Sequence, residues 1–477
     1  MDKLVNLKST ISNETKLASI NEVGAALNMA PGELRDINEF GGWKAVDGGV
    51  FAIAKRTDKG VFPIETVNTL PRLTDDNKAY NRYETYLNES AFDRSQDYAL
   101  FLAEVRTKAT KDESVDDGSA YNNDDIANRG IGLAKFKGIE KTFKAYSKST
   151  GSGVTVSFKT GFTGDIWGTK ANYRVEVIAK YASGATTKIY EQTFDPSETK
   201  EDKDKKIVAP IMEPEALLKT YFAPGLIPPE LNRDDLNNKL GQDANKNRLS
   251  NSTGTFTSKG IVLPPNVVEY TVRISAANNK ELGMDYHVPW KHYALPISGL
   301  DFTVAQDTSR VARALLQKVY NKLQETIEED TKGKTKATID AYKEQLKNVR
   351  DLLDGELKTT DDYKKILQPV LRDHQALRTD KSKLVASNGR LLDLINEVST
   401  NGKTQESIDP YVIAREEAKQ AQKEEQALLD QDNPDPDAVA AAVRKLDEKL
   451  AALKEKRDAL VDKATDDQVA ELKKADA

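Results

Sequence analysis

The chain has 477 residues, of which 38% are hydrophobic and 31% charged, with a net charge of −6 from 70 basic and 76 acidic side chains. That length exceeds one ordinary core and implies about three or four domains, and the near balance of charge gives no reason to expect nucleic acid or an anionic membrane as partner. The lack of cysteine excludes disulfides, thiolate metal sites and a cysteine nucleophile.

No apolar run reaches the roughly 18 residues of a membrane helix, so no membrane insertion is expected. Residues 1–40 read as a helical lead-in, because Leu17, Ile20, Val23 and Leu27 keep helical spacing and Pro31 opens a second short stretch. From Gly41 the texture changes. Glycine pairs at 41–42 and 48–49 punctuate short apolar runs, and Asp58-Lys59-Gly60 reads as a hairpin turn. Strict alternation follows: Val154, Val156 and Phe158 against Thr155, Ser157 and Lys159, then Tyr173, Val175, Val177 and Ala179, then Val268, Tyr270, Val272 and Ile274. About ten such strands with polar outer faces predict two packed antiparallel sheets over 41–306, a β-sandwich head of jelly-roll or lectin-like form. Two polar excursions, 106–130 and 213–254, interrupt them, and loops of that length serve binding more often than folding.

Across residues 300–319 the spacing rule switches from two to three and four. Leu315, Val319, Leu323 and Ile327 form one helical stripe, and Ile339, Tyr342, Leu346, Val349 and Leu353 form the next. A capping pattern at 359–362 opens a helix carrying Tyr363, Ile366, Leu367, Val370 and Leu371, which Pro369 kinks. Leu384, Leu391, Ile395 and Val398 follow before Asn401-Gly402 ends that unit. Finally Tyr411, Ala414, Ala418, Ala421 and Leu428 face Val439, Val443, Leu446, Leu450, Leu453 and Leu460 across a proline-bearing turn. The expectation is a multidomain α and β chain: a β head, then all-α modules of three-helix-bundle type over 307–403 and 404–477.

The pattern Tyr411, Ala414, Ala418, Leu428-Leu429-Asp430, Pro434-Asp435, Val439, Ala442, Leu446, Leu450 and Leu453 resembles the FIVAR module, a helical repeat of Gram-positive surface proteins, and residues 311–400 look like a more divergent relative. The run GGWKAVDGGVFAIAKR at 41–56, followed by GLAKFKGIEKTF at 132–143, is similar to the non-repetitive region that precedes helical repeats in giant staphylococcal matrix-binding and aggregation-promoting adhesins. The resemblance covers about residues 40–460 and implies an exported, cell-wall-anchored protein that attaches to a fibronectin-like matrix protein and promotes cell-cell aggregation in biofilm, with the same protein on neighbouring cells as a further partner. Neither a signal peptide nor an LPxTG-type motif is present, so anchoring is expected of a longer parent chain.

Candidate binding residues are Trp167, in a turn-rich segment, and Tyr286, Trp290 and Tyr293, in a proline-broken one, where an aromatic side chain either stacks on a surface glycan, packs on a protein, or plugs the end of the core. His287 and His292, five residues apart in an extended segment, point to opposite faces and make poor shared metal ligands. His374 stands by itself on a helix, no elbow pattern frames a serine nucleophile, and no spacing singles out a carboxylate pair. The acidic run 116–125 offers oxygen ligands but lacks a calcium-loop spacing and reads as solvated loop. Neither catalysis, metal nor cofactor is expected. The rival readings are a lectin-like head on a passive stalk and a cell-wall polysaccharide hydrolase.

Overall fold

The computed structural model describes residues 1–58, 60, 62, 70–73, 79–86, 91–102, 136–162, 171–211, 219–221, 253–277, 295–396 and 399–476. It divides into two compact units, Asp2–Ala314 with Leu357–Thr360, and Leu315–Glu356 with Asp361–Ala477. The first is built of antiparallel sheets and the second of helices.

In the first unit the strands are β1 (Thr10–Ser12), β2 (Leu34–Ile37), β3 (Glu39–Phe40), β4 (Trp43–Ala45), β5 (Phe51–Lys55), β6 (Leu70–Leu73), β7 (Ala79–Tyr86), β8 (Tyr98–Phe101), β9 (Ile139–Lys144) and β10 (Ser152–Thr160). They continue with β11 (Tyr173–Tyr181), β12 (Thr186–Phe194), β13 (Lys200–Glu201), β14 (Lys205–Val208), β15 (Lys219–Tyr221), β16 (Gly254–Ser258), β17 (Ile261–Leu263), β18 (Val267–Ala276), β19 (Pro296–Ile297) and β20 (Thr303–Asp307). A seven-stranded sheet runs β1-β20-β10-β16-β14-β13 with β17 also on β10, and a six-stranded sheet runs β12-β11-β18-β9-β4-β3. Smaller sheets run β19-β8-β5-β2 and β15-β7-β6.

Period-two patterning decides which side chains enter the core. Val154, Val156 and Phe158 are fully buried while Thr155, Ser157 and Lys159 are half-buried, and Tyr173, Val175, Val177 and Ala179 behave as the first set does. In β18 the register differs from the expectation: an irregularity opposite Lys180 and Tyr181 turns Val267 inward and leaves Val268 half-buried. Strands β5 and β8 show no alternation because Phe51, Ala52, Ile53, Ala54, Tyr98, Ala99, Leu100 and Phe101 are all buried; both faces are covered.

The seven- and six-stranded sheets share one core, tied by rings. Phe158 meets Tyr173 edge-on at 5.6 Å, and Phe194 stacks on Phe256 at 4.7 Å between centroids. Each such side chain contributes about 1.5–3 kcal/mol by burial and about 0.5–1.5 kcal/mol more as an aromatic pair.

Residues 1–40, expected as a helical lead-in, are threaded into this unit. They hold short helices, α1 (Asp2–Val5) and α2 (Ile20–Ala25), but also β1, which pairs with β20, and β2 and β3. Leu17, Ile20, Met29 and Phe40 belong to the common core. The buried Glu14 carboxylate accepts from Lys16 N–H (2.6 Å), Leu17 N–H (2.9 Å), Trp43 Nε1 (2.9 Å) and Lys141 Nζ (2.7 Å). Hydrogen-bond partners of this kind offset the cost of taking a polar group out of water.

The helical unit contains α3 (Ser309–Thr331, beginning in the first unit), α4 (Lys336–Asp354), α5 (Thr360–Lys365), α6 (Leu367–Gln375), α7 (Ser382–Asn396), α8 (Gln405–Asp430), α9 (Pro436–Asp458) and α10 (Asp466–Ala475). Pro369 cannot donate to the Lys365 carbonyl, and the helix is broken between α5 and α6 at Ile366. Tyr342, Leu346, Val349 and Leu353 are buried along α4. Leu384, Leu391, Leu394 and Ile395 of α7 share a core with Tyr411, Ala418 and Ala421 of α8 and with Val439, Ala442, Leu446 and Leu453 of α9. The boundary drawn at 403/404 therefore runs between α7 and the two helices it packs on. Asp435 caps α9 through Ala438 N–H at 2.8 Å, with Pro436 in the first turn.

Two turns of this unit repeat one motif. Thr331, Gly333, Lys334, Thr335, Ile339, Asp340 and Tyr342 recur 69 positions on as Thr400, Gly402, Lys403, Thr404, Ile408, Asp409 and Tyr411. Each glycine sits at positive φ, +66° and +77°, inside a tight turn. Thr335 N–H donates to Arg378 O and Asp380 N–H to Gly333 O; likewise Thr404 N–H donates to Val461 O and Lys463 N–H to Gly402 O. The α6–α7 connection that the first turn bonds is also clamped to the end of α8 and the α8–α9 loop. Thr379 Oγ1 donates to Pro434 O (2.6 Å), Asn433 Nδ2 to Leu377 O (3.1 Å), and Lys381 Nζ to Leu429 O and Gln431 O.

Candidate functional site

Trp167, Tyr286, Trp290 and Tyr293 lie outside the described residues, as do His287, His292, the acidic run 116–125 and Val398. In the β unit, the described residues flanking 163–170 and 278–294 meet one another. Tyr173, the first residue of β11, is fully buried, and its hydroxyl accepts from Gly161 N–H (3.1 Å). The same hydroxyl lies 2.7 Å from Pro296 O and 3.0 Å from Gly161 O, either of which takes its proton. Gly161 precedes the segment holding Trp167, and Pro296 follows the segment holding Tyr286, Trp290 and Tyr293. Burial pushes the phenol pKa well up, so it stays protonated and remains a donor.

Neighbouring contacts extend the anchor. Ala277 N–H donates to Asn172 O (2.8 Å) and Arg174 Nη2 to Ala277 O (3.0 Å), which ties the exit of one segment to the entry of β11. Leu102 N–H donates to Leu295 O (3.0 Å), so the excursion that begins at 103 leaves beside the return of the 278–294 segment. Ala91 and Phe162 bond reciprocally (2.8 and 2.9 Å), and Thr253 Oγ1 donates to Thr160 O (2.9 Å) where the 222–252 excursion re-enters.

The β unit also carries a buried charge. Asp93 accepts from Lys159 Nζ (2.7 Å) and Ser95 N–H (2.8 Å), with Ser298 Oγ at 3.5 Å, and Lys159 also faces Asp301 at 3.6 Å. Burial raises the Asp93 pKa, but the hydrogen bonds from Lys159 and Ser95 outweigh it and hold the carboxyl below its usual range. Sequence reading missed this pair, because a lone aspartate 66 residues from its lysine leaves no spacing signal. It also missed that Tyr173, placed in the alternating core set, bonds residues that flank the candidate segments.

His374, expected to stand by itself, has company: Nε2 lies 3.2 Å from Asp330 Oδ2, and the imidazole is 5.1 Å from the ring of Tyr342. Thr326 Oγ1 donates to the same Asp330 oxygen at 2.8 Å, so the aspartate lies between Thr326 of α3 and His374 of α6. Burial, with Asp330 adding to it, pushes Tyr342 up to about 12. Among the described residues no group of three His, Asp or Glu side chains could hold a metal ion, and no helix is long and apolar enough to cross a membrane.

Searches for similar proteins give no family model, no curated protein and no solved structure that matches this chain.

Proposed function

We propose that the chain is a non-catalytic bacterial surface adhesin, with a jelly-roll or lectin-like sandwich that recognises a ligand through its loop-bearing end and FIVAR-like three-helix modules that carry it. The observation that supports this best is the meeting at Tyr173 of Gly161 and Pro296, the described residues that flank the candidate segments. The repeated turn at 331–342 and 400–411 supports a modular helical part. The partner is a fibronectin-like matrix protein, and the location is the cell wall of a Gram-positive bacterium, in keeping with the resemblance of the sequence.

Binding of the full chain to immobilised fibronectin tests this reading. Saturable binding that Trp167→Ala or Trp290→Ala weakens supports it. Binding to a glycan array in place of fibronectin favours the lectin reading, and release of soluble fragments from purified cell wall overturns the non-catalytic assignment.

A further inference from the structure

The six-stranded sheet ends in an unusual edge. Every other edge strand among the described residues is two to four residues long, and short edges are a common protection against pairing with another chain. Strand β12 has nine, reads TTKIYEQTF, and contains neither proline nor glycine. It is the terminal strand of its sheet, paired with β11 on one side. Among the described residues no strand pairs with its other side.

The register fixes which backbone groups face out. Tyr181 N–H donates to Ala185 O, and Gly184 N–H to Tyr181 O, closing the β11–β12 turn. Counting from that pair in an antiparallel ladder, Thr187 spends its backbone groups on β11, and so does Gln192 once the extra residue at the irregularity opposite Val177 and Ile178 is allowed for. Thr186, Lys188, Glu191 and Thr193 turn theirs outward. That extra residue, Ile189, also puts the Lys188 and Glu191 side chains on one face, although they are three apart. They pair there with each other, and Lys188 pairs with Glu176 (2.9 Å) while Arg174 lies 3.6 Å from Glu191.

We infer that β12 is a homotypic docking edge, on which a second copy of this chain lays its own β12 antiparallel and joins the two six-stranded sheets about a two-fold axis between Ile189 and Tyr190. The sequence is self-complementary in that register. Lys188 faces Glu191 of the second copy and Glu191 faces its Lys188; Thr186 meets Thr193, Thr187 meets Gln192, and Ile189 meets Tyr190. Residues with outward backbone groups meet each other at both 186/193 and 188/191, as a hydrogen-bonded ladder requires. A bulge and a lysine usually discourage edge pairing. Here the bulge falls on the two-fold axis and the lysine meets a glutamate, so neither opposes it, and an isologous contact repeats each favourable pair twice. The inference stands apart from matrix binding and would survive its failure.

Sedimentation equilibrium of the full chain over a range of concentrations tests it. The wild type is expected to dimerise reversibly, and Lys188→Glu and Glu191→Lys are each expected to weaken the dimer about tenfold or more, because each places like charges opposite one another twice. An equimolar mixture of the two variants should recover wild-type association, since every 188–191 contact then has opposite signs again. Thr193→Pro, which removes an outward N–H and spares the bonds to β11, should give the same loss as the charge reversals. A wild type that stays monomeric at every concentration, single variants that dimerise as the wild type does, or a mixture no better than its components would overturn the inference.

Discussion

At the residue scale the β unit depends on a few buried polar groups whose partners are far away in sequence. Tyr173→Phe leaves Gly161 N–H and one of two carbonyls unpaired beside a fully buried ring, which should cost about 1–3 kcal/mol. A urea midpoint that falls at unchanged slope would show it; an unmoved midpoint would remove Tyr173 as the anchor. Asp93 adds a pH dependence. Its carboxyl has a lower pKa folded than unfolded, so its contribution is present above the ordinary aspartate value of about 3.9 and is lost as pH falls through the folded value. Asp93→Asn should therefore lower stability near neutrality, with the gap to wild type closing in acid. Urea midpoints across that range decide it, and a gap independent of pH would contradict the assignment. None of these partners was legible in the sequence. The alternation marked Tyr173 as inward-facing, but nothing in it pointed to Pro296, 123 residues on.

At the element scale legibility followed the length of the periodic run. Strands β10 and β11 and helices α8 and α9 were expected close to where they lie, because each repeats its rule over nine residues or more. Strand β1 was not, since three residues carry no period and its partner β20 lies almost 300 positions on. The stretch 254–263 holds two strands, β16 and β17, divided at Lys259-Gly260, which is the punctuation a glycine gives. The repeated turn at 331–342 and 400–411 was visible as a sequence and went unread, so α7 was grouped with the helices before it rather than with α8 and α9. Removing a core contact of that group tests the packing. Leu446→Ala should cost the helical unit about 2–5 kcal/mol. All three tryptophans belong to the region expected as the β head, so their fluorescence should unfold as before while the helical circular dichroism shifts. A shift of both signals together would mean that the two units melt as one.

At the scale of the whole molecule, the chain divides into a unit of sheets and a unit of helices. The seven- and six-stranded sheets close on one core, and in the helical unit Thr379, Lys381 and Asn433 tie the α6–α7 connection to α8 and the α8–α9 loop. The charged residues that lower the mean hydropathy to −0.61 lie largely on solvated helix and sheet faces, where Lys445 and Lys449 of α9 pair with Glu424, Glu425 and Glu417 of α8. Exposed pairs of that kind contribute about 0–1 kcal/mol each and serve solubility more than stability. The task proposed for the loop-bearing end is recognition, and one experiment addresses it directly. Surface plasmon resonance of the full chain over immobilised fibronectin should give saturable binding that Trp167→Ala and Trp290→Ala weaken at least about tenfold, the scale of an aromatic anchor. No binding, or binding that neither tryptophan substitution alters, would contradict it.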